Sequence, residues 1–202
     1  MSVETGPETE AISEATLESI RNAARTIREG GVVAFPTETV YGMGANALDP
    51  KAVARVFELK GRPRFDPIIV HVPGLHAAQA LTSIFPWKAL LLAERFWPGP
   101  LTLVLEKAAC IPDIVTAGLP RVGLRVPEHP IALALLREAK VPIAAPSANA
   151  FGKVSPTTAQ HVERSFGHAI QVLDGGPCAY GLESTVVLVP SDGHAPVLLR
   201  PG

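Results

Sequence analysis

The sequence predicts an α/β fold: a single domain in which a twisted, mixed β-sheet is flanked by helices. The chain has 202 residues, which is within the usual size of one domain. Segments with the apolar spacing of a helix alternate with short apolar segments early in the chain, and strand-like segments dominate toward its end. Alternating elements favour parallel neighbours, whereas consecutive strands favour antiparallel ones, so one mixed sheet is expected.

Polar residues are expected to begin the early helices. Ser13 and Asp49 are good N-caps, apolar residues recur three or four apart after each, and Gly30 and Gly61 are expected to end these helices. Short apolar runs bounded by Gly or Pro are expected to be strands. The elements expected in the first half are a helix from Ser13 to Gly30, a strand over 32–35, a Gly-rich loop over 36–48, a helix from Asp49 to Lys60, a strand over 67–72, a helix over 87–96 and a strand over 101–105.

The second half of the chain is expected to be richer in strands. Its expected elements are strands over 122–126, 141–145, 170–173, 185–189 and 197–199, a helix over 130–139 and a helix from Ser155 to about Phe166. Residues 1–12 are polar and acidic and are expected to form a disordered tail, which leaves 13–202 as the folded domain.

Composition excludes several classes of protein. The formal net charge is -1, which disfavours a protein that coats RNA through charge alone. Two isolated cysteines, Cys110 and Cys178, indicate neither a disulfide framework nor a zinc site, and they favour a reducing compartment. The chain begins without the basic and apolar segments of a signal peptide, and no apolar run reaches the roughly 18 residues of a membrane span, so a cytoplasmic location is expected. Neither a P-loop motif nor an H-E-x-x-H motif is present.

Two loops of the first half carry residues that a plain connector does not need. The segment PTETVYGMG, which contains Thr39, follows a strand end, where open α/β sheets bind ligands; a tight turn is the alternative. Lys60 and Arg62 lie in KGRPR, where a rigid backbone would suit a polyphosphate; a solvated charge cluster at a helix end is the alternative. His71 lies in the apolar strand that follows and is more often a core histidine than a ligand.

Two further loops lie in the second half. Arg125 stands between apolar neighbours in a strand, so it needs an anion, which is either a structural salt-bridge partner or a substrate carboxylate. Ser147 and Asn149 are two residues apart after a strand and would face the same side of an extended chain, toward the phosphates or ribose of a nucleotide. Ser155 is either part of that site or only a helix cap.

These segments, in this order, resemble the threonylcarbamoyl-AMP synthase family, which has a YrdC-like domain. The matching stretches are GGVVAFPTETVYGMGANA, ELKGRPRFDPIIVHV, FWPGPLTLVL, VTAGLPRVGLRVPEHP, APSANAFGKVSPT and GLESTVVLV. The resemblance implies a YrdC-like catalytic domain over 13–202, with its sheet around a large basic cavity. It also implies that L-threonine, bicarbonate and ATP are converted to threonylcarbamoyl-AMP and pyrophosphate, for the threonylcarbamoyladenosine modification of tRNA.

The resemblance assigns roles to eleven residues. The residues that would bind ATP are Lys60, Arg62, Asp66, Ser147, Asn149, Ser155 and Arg200, and Lys60 and Arg62 among them would be catalytic. The residues that would bind threonine are Thr39, His71, Arg125 and Ser184. Mg²⁺ is expected with ATP and not in a protein metal site. Downstream tRNA-modification proteins and tRNA are implied as partners, and a membrane is not.

The chain departs from the family pattern at two positions. Asp66 stands where Asn is usual, and it is expected to pair with a nearby cation such as Arg64. Arg121 stands where Thr is usual, which puts one ATP contact in doubt. Longer family members continue into a second domain, so the chain is either a one-domain member or a part of a longer protein.

Two other functions compete with this interpretation. The first is a module that binds double-stranded RNA or tRNA in the same basic cavity without catalysis, which would make RNA affinity steeply dependent on salt. The second is a carbamoyl-transfer domain from a larger maturation factor. The net charge of -1 argues against the first, and the lack of neighbouring zinc-finger-like segments argues against the second.

Overall fold

The structure is a computed structural model that describes residues 12–63 and 65–202. Most of the expected acidic tail over 1–12 therefore lies outside the described residues. The helices of the described part are α1 Glu14–Arg28, α2 Pro50–Lys60, α3 Leu75–Gln79, α4 Trp87–Phe96, α5 Asp113–Thr116, α6 Pro130–Ala139 and α7 Ala159–Phe166. Its strands are β1 Val33–Phe35, β2 Gly42–Asn46, β3 Val70–His71, β4 Leu101–Glu106, β5 Arg121–Arg125, β6 Ile143–Ala144, β7 Gln171–Val172, β8 Thr185–Leu188 and β9 Val197–Arg200.

The strands of the described residues form one nine-stranded sheet in the order β7-β1-β2-β6-β3-β5-β4-β8-β9. The pairs β1–β7, β3–β5 and β4–β8 are parallel, and the other neighbours are antiparallel. The expected mixed α/β sheet is therefore confirmed.

The two faces of the sheet have different surroundings. Val70, Leu103 and Leu124 alternate with residues of the opposite face and join the larger hydrophobic core, on what we call the core face. On the opposite face, Phe35 and Ile143 pack in a second cluster with residues of α1 and α6. These two helices cover the part of that face formed by the neighbouring strands β1, β2 and β6. Next to it, the strands β3, β5, β4 and β8 bear a cavity, and we call this region the open face.

The segment over 36–48 was expected to be a loop, and this expectation is wrong for its second half. Gly42–Asn46 forms β2, which pairs antiparallel with both β1 and β6. Its glycines have low intrinsic strand propensity, so the pairing on both sides decides the conformation. A Cβ atom on Gly44 would lie 2.5 Å from Ile143 Cγ2 and 2.7 Å from Phe35 Cε1, which explains why no side chain stands there.

Helix boundaries follow the expected caps at the first two helices. Ser13 accepts a hydrogen bond from the Thr16 amide, and Asp49 accepts one from the Lys51 amide. The helix expected to begin at Ser155 instead begins at Ala159 and is capped by Thr158. The short helices α3 and α5 were not expected, because five and four residues are too few to show a helical period.

Candidate active site

A cavity of about 430 Å³ opens on the open face of the sheet. Its floor consists of the open-face residues of β3, β4, β5 and β8. Its walls include the loop after β1, the segment between α2 and β3, the loop after β6 and the end of β9. The residues predicted to bind ATP or threonine that line it are Thr39, Arg62, Asp66, His71, Arg125, Ser147, Ser184 and Arg200. The structure thus brings together eight predicted residues that are widely separated in sequence.

Arg125 lines this cavity and forms an ion pair with Glu38. Its Nη2 donates to Glu38 Oε1 at 2.6 Å and to Thr39 Oγ1 at 2.9 Å. Both charged side chains are only 5% exposed, and Arg125 Nε has no hydrogen-bond partner among the described residues. Arg125 therefore forms the structural salt bridge and also contributes to the cavity wall, so the two alternatives for this residue are compatible.

Thr39 is held by a tight turn in the first loop. The Thr37 hydroxyl donates to the Val40 carbonyl at 2.6 Å and accepts from the amides of Thr39 and Val40 at 3.2 Å each. The tight turn and the placement of Thr39 in the cavity are therefore compatible, because the turn leaves the Thr39 hydroxyl facing Arg125.

His71 lies beside Arg125, because the two residues are register partners on the parallel strands β3 and β5. Its ring meets the ring of Phe35 edge-on, with centroids 5.9 Å apart. Burial, and then the positive charge of Arg125, lower the pKa of His71 to about 3. The ring is therefore neutral at physiological pH. We call Glu38, Thr39, His71 and Arg125 the Arg125 cluster.

A second group of charges lies around Arg62. Arg62 Nη2 is 2.8 Å from Asp66 Oδ2, and it also donates to the Pro67 carbonyl at 3.1 Å. The pairing of Asp66 with a cation is as expected, but the partner is Arg62; Arg64 lies outside the described residues. Glu183 accepts hydrogen bonds from Arg200 and from Ser155, the latter at 3.1 Å.

Arg200 is also anchored to the backbone. Its Nη2 donates to the Ser184 carbonyl at 2.9 Å and to the Ser184 hydroxyl at 3.2 Å. That hydroxyl lies 2.8 Å from Thr102 Oγ1. The predicted ATP residue Arg200 and the predicted threonine residue Ser184 are therefore in direct contact.

Lys60 is buried beneath the loop that follows β6. Its Nζ donates to the carbonyls of Ser147 and Asn149, and burial, followed by the nearby charge of Arg62, lowers its pKa to about 8. The Asn149 amide donates to the carbonyls of Ala150 and Lys153 at 3.0 and 2.6 Å. In the described part of the chain, Lys60, Asn149 and Ser155 are not wall residues of the cavity. Lys60 and Asn149 instead shape the loop that presents Ser147. We call Lys60, Arg62, Asp66, Glu183 and Arg200 the Arg62 cluster.

Sequence reasoning missed several residues of the site. Glu38 and Glu183 are single carboxylates in the PTETVYG and GLEST segments, and nothing in their spacing indicates which arginine each would meet. Thr102 could have been found, because it alternates with the buried residues Leu101 and Leu103 and so belongs to the other face of its strand. Arg121 lines the cavity, and its Nε donates to Glu106 Oε1 at 2.8 Å.

A family model described as Sua5_yciO_yrdC, telomere recombination, matches residues 25–202. The chain belongs to the Sua5/YciO/YrdC family. The match includes every segment that contributes to the cavity, from the loop after β1 to β9.

Named relatives in the Sua5/YciO/YrdC family share one description. The chain is 53% identical to the threonylcarbamoyl-AMP synthase of Pyrococcus abyssi, covering 91% of this chain and 54% of that protein. It is 53% identical to the threonylcarbamoyl-AMP synthase of Bacillus subtilis, covering 91% and 53%, and 32% identical to that of Cellvibrio japonicus, covering 78% and 83%. The chain thus spans about half the length of the first two relatives.

Solved structures of the Sua5/YciO/YrdC family have the same fold. The crystal structure of P. abyssi Sua5 complexed with L-threonine superimposes with a TM-score of 0.90 at 52% identity, covering 96% of this chain and 56% of that one. Escherichia coli YciO, at 23% identity, superimposes with a TM-score of 0.79 over 91% of this chain and 89% of that one, and so supports the fold alone.

None of the helices in residues 12–63 and 65–202 has the length and apolar character needed to span a bilayer. The same residues contain no group of three or more His, Cys, Asp or Glu side chains placed to hold a metal ion.

Proposed function

We propose that this chain catalyses the synthesis of L-threonylcarbamoyladenylate from L-threonine, bicarbonate and ATP, with release of pyrophosphate. The observation that carries the proposal is that members of two different charge clusters line one cavity: Arg125, Thr39 and His71 of the buried Arg125 cluster, and Arg62, Asp66, Glu183 and Arg200 of the Arg62 cluster. One cluster suits the carboxylate of an amino acid and the other suits a polyphosphate. The relatives named threonylcarbamoyl-AMP synthase support the same assignment.

The reaction joins two anions. The amine of threonine combines with bicarbonate to give a carbamate and water, and a carbamate oxygen then attacks the α-phosphorus of ATP as pyrophosphate leaves. Arg62 and Arg200 would offset the charge on the phosphate oxygens, where fixed cations stabilise a transition state without reorganising. Holding the two substrates in one recessed site supplies much of the remaining rate enhancement.

The Arg125 cluster would hold the amino acid. Arg125 Nε, which is buried and unpartnered among the described residues, is a free donor for the substrate carboxylate. His71 is neutral, so it would add a hydrogen-bonding group without a second positive charge. The Thr39 and Ser184 hydroxyls extend the polar surface of the cavity in this part.

Mg²⁺ is proposed to enter as part of the MgATP substrate. Among the described residues, Asp66 and Glu183 are the two carboxylates that line the cavity, and each is paired with an arginine. Because both carboxylates are occupied by arginines, the ion is proposed to keep phosphate oxygens and water as its ligands. The bound ion would neutralise phosphate charge and favour departure of pyrophosphate.

The product is an activated carbamoyl donor, so we propose that it is passed to tRNA-modification proteins and then to adenosine in tRNA. A cytoplasmic location is part of this proposal. The free thiols of Cys110 and Cys178 are compatible with that reducing compartment.

Pyrophosphate release tests the proposed function directly. The purified chain is incubated with MgATP in the presence and absence of L-threonine and of bicarbonate, with CO₂-depleted buffer as the reference. We expect release only when both co-substrates are present, together with formation of a threonylcarbamoyl adenylate detectable by mass spectrometry. Release that ignores threonine, or a folded chain that binds MgATP and releases no pyrophosphate, would contradict the proposal.

A further inference from the structure

Each of the four arginines that line the cavity in the described part of the chain is paired with a carboxylate. The pairs are Arg62–Asp66, Arg121–Glu106, Arg125–Glu38 and Arg200–Glu183. A cavity described as basic from its arginines alone is therefore largely neutralised by the protein's own acids.

The four pairs are not equivalent. The Glu38 carboxylate is 5% exposed and Glu106 is not a wall residue of the cavity in the described structure, so both acids support their arginines from behind. Asp66 and Glu183, in contrast, line the cavity themselves and are 40% and 39% exposed. These two carboxylates thus stand where a bound molecule would meet the arginines.

Glu183 occupies an arrangement of donors that suits a phosphate group. Its Oε2 accepts from Arg200 Nη1, and its Oε1 accepts from the Ser155 hydroxyl. Arg200 is held in this position independently of Glu183, because its Nε and Nη2 donate to the Ser184 carbonyl at 3.1 and 2.9 Å. The guanidinium would therefore stay in place if the carboxylate left, and its Nη1 would become free for another anion.

The charges near Glu183 favour such an exchange. Within the Arg62 cluster, Lys60, Arg62 and Arg200 are three cations against two carboxylates, which gives a formal charge of +1. A polyphosphate brings more negative charge and more acceptor oxygens than one carboxylate, and its hydrogen bonds to guanidinium are of the same charge-assisted type. A single small anion gains little by replacing Glu183, whereas a ligand with several phosphates and further contacts gains more.

We propose that the Glu183 carboxylate occupies the place of a nucleotide phosphate between Arg200 and Ser155 and leaves it when a polyphosphate binds. This inference rests on the proposed function, because it takes MgATP as the ligand. It makes Glu183 an internal competitor that weakens binding of free phosphate and pyrophosphate to the empty cavity. The same carboxylate returns to Arg200 after the reaction and so assists release of pyrophosphate.

The substitution Glu183→Gln tests this role, because glutamine keeps an acceptor for Ser155 and Arg200 and removes the charge. Calorimetry would compare the parent and the variant with adenosine, AMP, ADP, ATP and pyrophosphate at low and high salt. We expect an unchanged Kd for adenosine and a gain that grows with the number of phosphates, reaching about fivefold or more for ATP and pyrophosphate at low salt. The gain should shrink at high salt. Glu94→Gln, which removes an exposed charge on α4 outside the cavity, is the matched control and should change nothing.

A structural measurement complements the variant. In a crystal of the parent grown with a non-hydrolysable MgATP analogue, we expect Arg200 Nη1 to contact a phosphate oxygen and the Glu183 carboxylate to lie beyond salt-bridge distance of Arg200. A complex that retains the Arg200–Glu183 pair would overturn the inference. This test uses the parent protein, so it is independent of whether the variant folds.

The measurements distinguish failure of the role proposed for Glu183 from failure of the proposed function. Equal or weaker polyphosphate affinity in a folded Glu183→Gln variant, while the parent binds ATP, would overturn the role of Glu183 and leave the proposed function intact. An equal gain for adenosine and ATP would indicate a change of cavity shape and would also overturn it. A parent that binds no ATP and releases no pyrophosphate would overturn both the inference and the proposed function.

Discussion

Arg125 and Glu38 form an ion pair with 2.6 Å between Nη2 and Oε1, in which each side chain is only 5% exposed. The two residues are 87 positions apart in sequence, so the pair joins the loop after β1 to β5. Burial of an ion pair costs solvation free energy that only good geometry offsets, and the pair is therefore a weak source of stability while it is intact. Removal of one partner is strongly destabilising, because the other charge stays buried without its counterion.

Glu38→Ala should lower the free energy of unfolding by about 3–5 kcal/mol, because it leaves the Arg125 guanidinium buried without its anion. Urea denaturation of parent and variant measures the loss. The control is Glu14→Ala, which breaks the exposed pair with Arg21 and should cost about 1 kcal/mol or less. Equal losses in the two variants would contradict the buried role assigned to Glu38.

Arg62→Ala should reduce MgATP affinity, or the rate of pyrophosphate release, by about 10- to 150-fold. The basis is the loss of a charged hydrogen-bond partner worth about 1.5–3 kcal/mol in the cavity wall. Calorimetry and steady-state kinetics measure the two quantities. Arg95→Ala, an exposed position on α4, serves as the control for loss of one positive charge. An unchanged rate in a folded Arg62→Ala protein would remove Arg62 from the site.

Asp66→Asn should tighten MgATP binding by about two- to fivefold, because it removes a carboxylate that lines the cavity and holds Arg62 Nη2 at 2.8 Å. Calorimetry at low ionic strength is the measurement. Asp113→Asn, which neutralises the exposed partner of Lys107, is the charge-matched control. A sharply weaker affinity would instead assign Asp66 a direct role in binding MgATP.

His71 should make the fold less stable in acid. Its folded pKa of about 3 lies below the value of about 6.5 in an unfolded chain. The unfolded state therefore binds more protons between these values, and stability falls as pH falls through this window. Between pH 6.5 and pH 4.5, His71 should lower the free energy of unfolding by about 2–3 kcal/mol. Denaturation curves of the parent and His71→Gln should diverge over this range, and parallel pH profiles would contradict the burial of a neutral His71.

Lys60 should make nucleotide binding sensitive to alkaline pH. Its pKa of about 8 means that the ammonium loses its charge as pH rises above that value, and the Arg62 cluster then loses one cation. MgATP affinity should decline by up to about tenfold per pH unit between pH 8 and 9.5 if only the charged form binds. Adenosine, titrated over the same range, should show a flat profile. A flat profile for MgATP as well would exclude an electrostatic role for Lys60.

Much of the fold could be predicted from local chemistry. The caps Ser13 and Asp49 and the apolar spacing behind them are local signals, and α1 and α2 follow them closely. β2 could not be found in this way, because Gly42 and Gly44 carry no strand signal and the strand is stabilised by partners on both sides. Local sequence likewise does not predict that the Tyr41 amide donates to the Pro156 carbonyl. This hydrogen bond lies just before α7, which begins at Ala159 and not at Ser155 as expected.

The candidate site was predictable as a set of residue types and not as a set of contacts. The positive charges of Lys60 and Arg62 were evident, but one side chain turns to carbonyls 87 and 89 positions away and the other faces the cavity. The carboxylate partners were missed for the same reason, since the pairing of Glu183 with Ser155 depends on how loops 28 positions apart meet in space. Chain spacing determines which face of a strand a residue occupies, whereas tertiary packing determines its partner.

The position of β9 at the edge of the sheet has a consequence for how the site comes apart. Three of its four residues are exposed, it pairs only with β8 in the described sheet, and the pairing is irregular next to Val186. Arg125, in contrast, stands on β5 between two other strands. Local opening begins where a strand has few buried contacts. Fraying of this edge would carry Arg200 away while the Arg125 cluster stays assembled, so the proposed nucleotide site should lose its geometry before the proposed amino-acid site does.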